Sequence, residues 1–465
     1  MPSPRIVVPP TGHDWDALRA ELGIPGAFPP QVEAEAAAVA GEPALPGRDL
    51  TDVPFLTIDP AGATDLDQAM ALSRTPEGYL VRYAIADVAA FVRPGGAVDL
   101  EAHRRGETLY APDRRTPLHP PVLSEGAASL LPDQVRPALV WELALDGEGT
   151  LTRTHVERAL VRSRRRLDYE QVQRDLDAGT ATEDLQLLQE IGTRRLEQAR
   201  ARDAVDLPTA EQVVEPDGSL TYRAELASER WNAQISLLTG MAAAQLMLKG
   251  GVGLLRTLPP PAQRDVDSLR RSADALGVPW PEHTSYGDVL SALDPKVPRN
   301  AALLALSTRL LRGAGYTAFD GSPPELQTHS AVAAPYAHCT APLRRLADRY
   351  VGEVCLALCQ GTPVPDWARA ALPALPKEMA EADHRAHALE RAVVDLAEAW
   401  VLQHRVGEVF EAVVVDANSH GGTVQLTDPA VRARIDDQDP PLGARVQVVL
   451  VQADVSTRTV LFRLR

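Results

Sequence analysis

The sequence predicts an α+β multidomain protein with a short N-terminal helical unit, a mixed domain whose strands precede its helices, and a small C-terminal β-barrel. Three observations predict it. The chain has 465 residues, too many for one hydrophobic core. Strand-like patterning from Thr51 to about Glu157 gives way to helical periodicity between Asp168 and Gln403, the segregated order of an α+β unit. After Val406 the pattern returns to short alternating strands, which fit an OB-type barrel, although an SH3-like barrel would look similar.

Residues 11–41 read as the helical unit. Asp14 to Gly23 carries a helix start and a glycine stop, Pro25 to Pro30 turns the chain, and Val32 to Ala40 is rich in Ala and Glu. Two helices around a turn are helix-turn-helix-like. Pro43, Pro46 and Gly47 mark a linker ending at Arg48. The strands include Tyr79 to Val88, after the Pro76-Glu77-Gly78 turn, and Val140 to Gly147. Helices are predicted over Asp168–Leu176, Thr182–Asp203, Ala224–Lys249, Gln263–Leu276, Arg299–Leu311, Arg344–Leu358 and Lys377–Gln403. In the tail, Val406–Val415, Gly421–Leu426, Leu442–Val451 and Thr459–Leu464 supply the barrel strands.

Hydrophobic residues make up 45% and charged residues 24%, an ordinary globular balance. There is no apolar run of membrane-spanning length, and Met1 to Pro10 lacks a signal-peptide layout. Cys339, Cys355 and Cys359 are too few for a disulfide framework and form no metal-binding pattern. Buried reduced thiols in a cytoplasmic protein are expected. The net charge of −16 argues against a surface that attracts nucleic acid everywhere, yet leaves room for a local basic channel. Arg153, Arg158, Arg162, Arg164, Arg165 and Arg166 cluster in one segment. They form either a solvated face or a groove that tracks phosphates.

Asp59, Asp65 and Asp67 crowd the loop from Leu56 to Ala69, which leaves a strand-like run and turns through Pro60 and Gly62. In an extended stretch Asp65 and Asp67 share a side, and the turn brings Asp59 back. Such carboxylates repel one another unless a hard cation lies between them. A solvated acidic loop is the plain alternative. Further on, Tyr336 to Asp348 places Pro342 at the opening of a helix whose first turn carries Arg344 and Arg345. Basic groups there oppose the macrodipole unless an anion occupies the same spot. An Arg344–Asp348 pair at i, i+4 is the structural alternative.

At these residues the chain resembles the ribonuclease II and R exoribonucleases with their RNB catalytic domain. The acidic loop is similar to that family's Thr-Ile-Asp…Asp-x-Asp-Asp-Ala signature. Tyr83–Val88 with Val92–Asp99, Arg105–Pro112, Leu255–Pro260, Tyr336–Asp348 and the Glu390-Arg391 pair follow the family's order. The resemblance implies three parts: residues 1–48 as helical unit and linker, 49–404 as RNB domain, and 405–465 as an S1-like OB domain. It also implies a processive or semi-processive hydrolytic 3′-to-5′ exoribonuclease that degrades single-stranded RNA to nucleoside 5′-monophosphates. The expected partner is single-stranded RNA, with no membrane, and the chain is a monomer.

Carried over, the resemblance gives Asp59, Asp65 and Asp67 to Mg²⁺ or Mn²⁺, with two ions about 4 Å apart at the scissile phosphate. Asp67, Arg344 and Glu390 become catalytic, with Arg344 on the phosphate as charge builds. Tyr110 stacks on the 3′-terminal base, and Arg345 binds RNA. Several departures bear on activity. Gln68 stands where the family has a fourth metal-site aspartate, so only an amide oxygen remains to the ligand set. Leu207, in Asp206-Leu207-Pro208, stands near the place of an aromatic base clamp, and Ala233 and Gln234 replace paired glutamates. The alternative is therefore a catalytically impaired RNA-binding protein that keeps the fold.

Overall fold

A computed structural model describes residues 15–465 apart from 206, 208–210, 215–219, 224, 296 and 427. The expected helix start at Asp14 lies outside the described residues. Helices α1 (Trp15–Glu21) and α2 (Pro30–Ala40) form the N-terminal unit. Each is fastened by burial and charge. Trp15 and Leu18 enter an apolar cluster with Leu109, Leu389 and Phe410. Buried Arg19 pairs with Asp113, and Glu21 pairs with Arg458 at 2.6 Å. In α2, the Glu35 carboxylate accepts from the Ala97 and Val98 amides at 2.7 and 3.3 Å. That contact satisfies amides which a helix start leaves free.

Strands β1 (Phe55–Ile58), β2 (Gln68–Thr75) and β3 (Gly78–Ala86) lead into helix α3 (Ala97–Arg105) and a short hairpin, β4 (Leu109–Tyr110) with β5 (Arg115–Thr116). Strands β6 (Val135–Asp146) and β7 (Leu151–Leu167) follow. β1, β2, β3, β6 and β7 close into a barrel through the parallel pairing of β1 with β7. Closure removes sheet edges, and the interior is filled by Val81, Tyr83, Trp141 and Leu143. Because β1 and β7 run parallel, their C-terminal ends meet at one end of the barrel. There the Asp59 amide bonds the Leu167 carbonyl at 3.2 Å, so the acidic loop and the chain after β7 start side by side.

The arginine cluster lies on β7, and three of its members are engaged within the fold. Arg158 turns inward to Asp87 and Glu353, Arg164 donates to the Thr51 carbonyl, and Arg165 pairs with Asp184. Alternation along a strand sends neighbouring side chains to opposite faces.

Next come α4 (Tyr169–Asp177), α5 (Glu183–Ala201), the hairpin β8 (Glu211–Val214) with β9 (Leu220–Arg223), and α6 (Ala227–Gly250). Asp168 caps α4 by accepting from the Gln171 amide at 2.7 Å. Helix α6 begins three residues later than expected because the Glu229 carboxylate folds back to the Leu226 amide at 2.7 Å. Strand β10 (Val252–Thr257) precedes α7 (Gln263–Ala275), α8 (Tyr286–Ser291) and α9 (Pro298–Ser307). It pairs antiparallel with β11 (Gly315–Asp320) across those three helices, a link the sequence does not announce. β12 (Thr328–His329) and β13 (Ala334–Pro335) lead to α10 (Leu346–Gln360), α11 (Asp366–Ala371) and α12 (Leu375–Leu402). Cys339 and Cys355 are buried, Cys359 is half-buried, and all three thiols are free.

The chain ends in a second closed barrel: β14 (Val409–Asn418), β15 (Gly421–Leu426), β16 (Arg432–Ile435), β17 (Arg445–Asp454) and β18 (Thr459–Leu464), ordered β14-β15-β16-β18-β17. Its core, including Phe410, Val424 and Phe462, is continuous with the apolar face of α12. Among the described residues no helix is long and apolar enough to cross a membrane.

Candidate active site

The acidic loop joins β1 to β2 at the end of the first barrel. Its path is set locally. Gly62 adopts φ +84° in the turn closed by the Ala63 amide on the Pro60 carbonyl, 3.1 Å. Fully buried Leu66 pins the far limb, and the Ser129 hydroxyl accepts from the Leu66 amide at 2.9 Å. The loop is therefore not an extended stretch, and Asp65 and Asp67 bind different partners. Asp65 pairs with Arg115 at 2.6 Å, while Arg115 also meets Glu125 at 2.8 Å. Asp67, 2% exposed, accepts from the Leu343 amide at 2.7 Å and faces Arg344 Nε at 3.1 Å.

The second wall is the turn carrying Arg344. It is not the first turn of a helix, because α10 starts at Leu346 and Arg345 is extended (φ −143°, ψ 121°). Residues 344–346 instead run beside the Tyr110 hairpin: the Thr108 amide bonds the Arg344 carbonyl and the Leu346 amide bonds the Gly106 carbonyl, at 2.8 and 2.9 Å. That pairing holds Tyr110 and Arg344 in one unit. Arg344 pairs with Asp67 and not with Asp348, and its side chain is 42% exposed. Arg345, expected to bind RNA, turns the other way and gives its guanidinium to buried Asp348 at 2.6 and 2.8 Å. A two-bonded pair of this kind fixes the guanidinium in place.

Tyr110 is 38% exposed. Its hydroxyl is pushed up to about 12, chiefly by burial, with Arg344, Asp65 and Asp67 as its charged neighbours. Half-buried Glu390 lies on α12, where the adjacent Leu389 shares a cluster with Leu109, the residue before Tyr110. Leu207 packs instead against an apolar cluster that includes Leu269, Leu303 and Val415, and its neighbours Asp206 and Pro208 lie outside the described residues. Gln68 is engaged at both ends of its amide: Nε2 donates to the Thr340 carbonyl at 2.6 Å and Oε1 accepts from the Tyr83 hydroxyl at 2.7 Å.

Burial raises the Asp59 carboxyl to about 6, against the pull of Arg344 and with Asp65 adding repulsion. Burial raises Asp67 as well, again opposed by Arg344. Asp59 Oδ2 and Asp67 Oδ2 are both buried without an aligned hydrogen bond, and Asp67 Oδ2 has only the Arg344 ion pair at 3.1 Å. Two desolvated carboxylate oxygens in that condition suit one hard divalent cation. The wider ligand set fits less well. Asp65 is tied to Arg115, and among the described residues no group of three or more His, Cys, Asp or Glu could hold a metal ion.

Three nearby residues escaped the sequence reading. Arg115 carries no motif that ties it to Asp65. Tyr169, directly after the α4 cap, is held by Asn232 at 3.2 Å and stands close enough to Asp59 and Arg344 for their charges to act on it. Its place at the β7 exit, beside the β1 exit, was the available signal. Glu107 is the third. Burial raises it to about 7, with Asp383 adding to the rise and Arg345, Arg256 and His387 opposing it. Its folded value lies above the unfolded 4.5, so its stabilising share is complete below pH 4.5 and lost as pH rises through 7. Glu107→Gln is therefore expected to be more stable than wild type at pH 8 by roughly 3 kcal/mol and level with it at pH 4. Thermal melts at the two values check this, and a gap as large at pH 4 as at pH 8 would count against it.

Buried carboxylates beside an open arginine suit a phosphodiester, and an OB-type barrel suits a single-stranded polynucleotide. A family model described as RNB domain matches residues 47–360, and one described as RNase II-type exonuclease C-terminal S1 domain matches 408–465. The chain belongs to the RNB domain family. Among curated proteins it is similar to ribonuclease R of Aquifex aeolicus, 27% identical over 449 residues that cover 90% of this chain and 62% of that protein. The chain thus spans about three-fifths of that relative's length. Its fold matches apo Mycoplasma genitalium RNase R with a TM-score of 0.85 at 20% identity, covering 97% of this chain and 77% of the other. It also matches yeast Ssd1, a pseudonuclease, with a TM-score of 0.69 at 18% identity, covering 88% and 54%.

Proposed function

We propose that this chain is a hydrolytic 3′-to-5′ exoribonuclease that shortens single-stranded RNA to nucleoside 5′-monophosphates. The observation that carries the reading is the junction of two walls: Asp67 holds the Leu343 amide and faces Arg344, while Arg344's own backbone is bonded to Thr108, in the segment that leads into the Tyr110 strand. Asp59 and Asp67 would hold Mg²⁺ or Mn²⁺, which when bound supplies the charge that activates water and steadies the leaving oxygen. The open guanidinium of Arg344 takes the non-bridging oxygens of the scissile phosphate, a bidentate task that suits arginine. Tyr110 presents a ring face for the terminal base, and stacking of this kind tolerates any sequence. In this reading residues 49–404 are the catalytic domain and 405–465 the RNA-gripping barrel.

A second reading, RNA binding without cleavage, is favoured by the neutral Gln68 and by the capture of Asp65 by Arg115. One assay separates the two. End-labelled RNA and DNA oligomers are incubated with Mg²⁺, with Mn²⁺ or with chelator. Stepwise 3′ shortening of RNA, lost in chelator, is the expected result. Retention of RNA without shortening in either metal would establish the second reading instead, and equal shortening of DNA would remove the claim of RNA selectivity.

A further inference from the structure

The resemblance would give position 68 to a metal ligand; the hydrogen bonds around it describe a different task. We infer that Gln68 is a positioning residue, a neutral brace that aims Arg344, and this deepens the exonuclease reading on which it rests. The side chain starts β2, immediately after Asp67, and crosses to the 340–344 turn. Its N–H donates to the Thr340 carbonyl at 2.6 Å, and its oxygen takes the hydroxyl of fully buried Tyr83 at 2.7 Å. Asp67 bonds the same turn three residues further on, through the Leu343 amide at 2.7 Å.

Two consecutive residues therefore fasten both limbs of the turn to the barrel end. Two further contacts hold its near limb: the Thr340 and Ser236 hydroxyls lie 2.8 Å apart, and the Ala341 amide donates to Asp348 at 2.7 Å. Arg344 ends the turn with its side chain 42% open to solvent and one contact, Nε to Asp67 at 3.1 Å. Its aim is set by that contact together with the backbone behind it.

Chemistry at position 68 is restrictive. Facing a carbonyl on one side and a phenol on the other requires one donor and one acceptor on the same planar group, which an amide has and an ionised carboxylate lacks. A carboxylate of equal length would set two oxygens against each other at Thr340. An aspartate would be shorter as well, and could not span from β2 to the turn while keeping the Tyr83 bond. The charge lost from the acidic loop is, in this account, exchanged for a fixed turn.

The test uses the full chain with Gln68→Glu, Gln68→Asp and the uncharged isostere Gln68→Met. In wild type and each variant, three readouts are taken: steady-state cleavage of a labelled RNA oligomer, the melting shift caused by Mn²⁺, and hydrogen exchange of residues 337–346. Gln68→Glu and Gln68→Met are expected to lower kcat about 10²-fold, the penalty of a misplaced catalytic group. KM and the Mn²⁺ shift stay near wild type, while exchange of the turn speeds up. Gln68→Asp behaves the same way. A Gln68→Asp protein that cleaves faster and gains a larger Mn²⁺ shift would overturn the inference, since position 68 would then be a ligand seat. Unchanged exchange in Gln68→Met would overturn it too. Should wild type fail to cleave RNA, the exonuclease reading falls, yet the exchange comparison still decides whether Gln68 braces the turn.

Discussion

Arg344→Ala is expected to lower kcat for RNA shortening by about 10³-fold, the range seen when a single transition-state electrostatic contact is removed. RNA affinity should change little. Only one phosphate contact is lost, so the dependence of binding on salt should flatten by about one unit of slope. The geometry makes the loss specific to chemistry: Arg344 touches Asp67 through Nε at 3.1 Å, and its side chain is 42% exposed. Arg344→Lys retains the charge without the planar fork and should recover only a small part of the rate. Because Asp67 and Arg344 share one contact, their effects are not independent. Asp67→Asn in an Arg344→Ala background should cost less than it does alone. Single-turnover rates in saturating Mg²⁺ check the series. A rate within a factor of three of wild type for Arg344→Ala would remove Arg344 from the chemistry.

Much of the fold was legible because periodicity and punctuation agree with each other. The Asp168 cap, the alternating tail and the long apolar stripe of α12 each announce themselves locally. The first barrel did not, because its closure depends on a parallel pairing between β1 and β7 that lie about a hundred residues apart. The candidate site was half legible for the same reason. Asp59, Asp67, Tyr110 and Arg344 stand in recognisable runs, and the structure does bring them together. Glu107 lies in the Arg105–Pro112 run and Arg115 just beyond it, but what each faces comes from segments distant in sequence. Rotation decides the rest. Neighbouring arginines at 344 and 345 look alike in sequence, yet the Thr108 and Leu346 amides fix one toward the acidic loop and the other toward Asp348. Gln68 likewise reads as a damaged ligand until its two hydrogen-bond partners are known.

Asp59→Asn is expected to separate stability from function at the site. Without a divalent ion, wild type keeps Asp59 Oδ2 buried and unpaired, and that burial lifts the carboxyl to about 6. An amide of the same size removes the charge from a desolvated position, so the metal-free variant should be more stable by about 1–2 kcal/mol. Its catalytic rate should fall by at least about 10²-fold, because the group removed is one of two carboxylates available to the cation. Adding Mg²⁺ or Mn²⁺ should then raise the melting temperature of wild type, through binding to the folded state alone, and leave the variant nearly unmoved. Replacing Asp65 makes the control. Asp65→Asn breaks a paired contact with Arg115 at 2.6 Å, so it should lose stability without metal where Asp59→Asn gains it. Opposite signs at two aspartates six residues apart would locate the strained charge at Asp59. Two losses of similar size would mean that the acidic loop holds no seat for an ion, and the reading of the site as a metal-dependent nuclease would go with it.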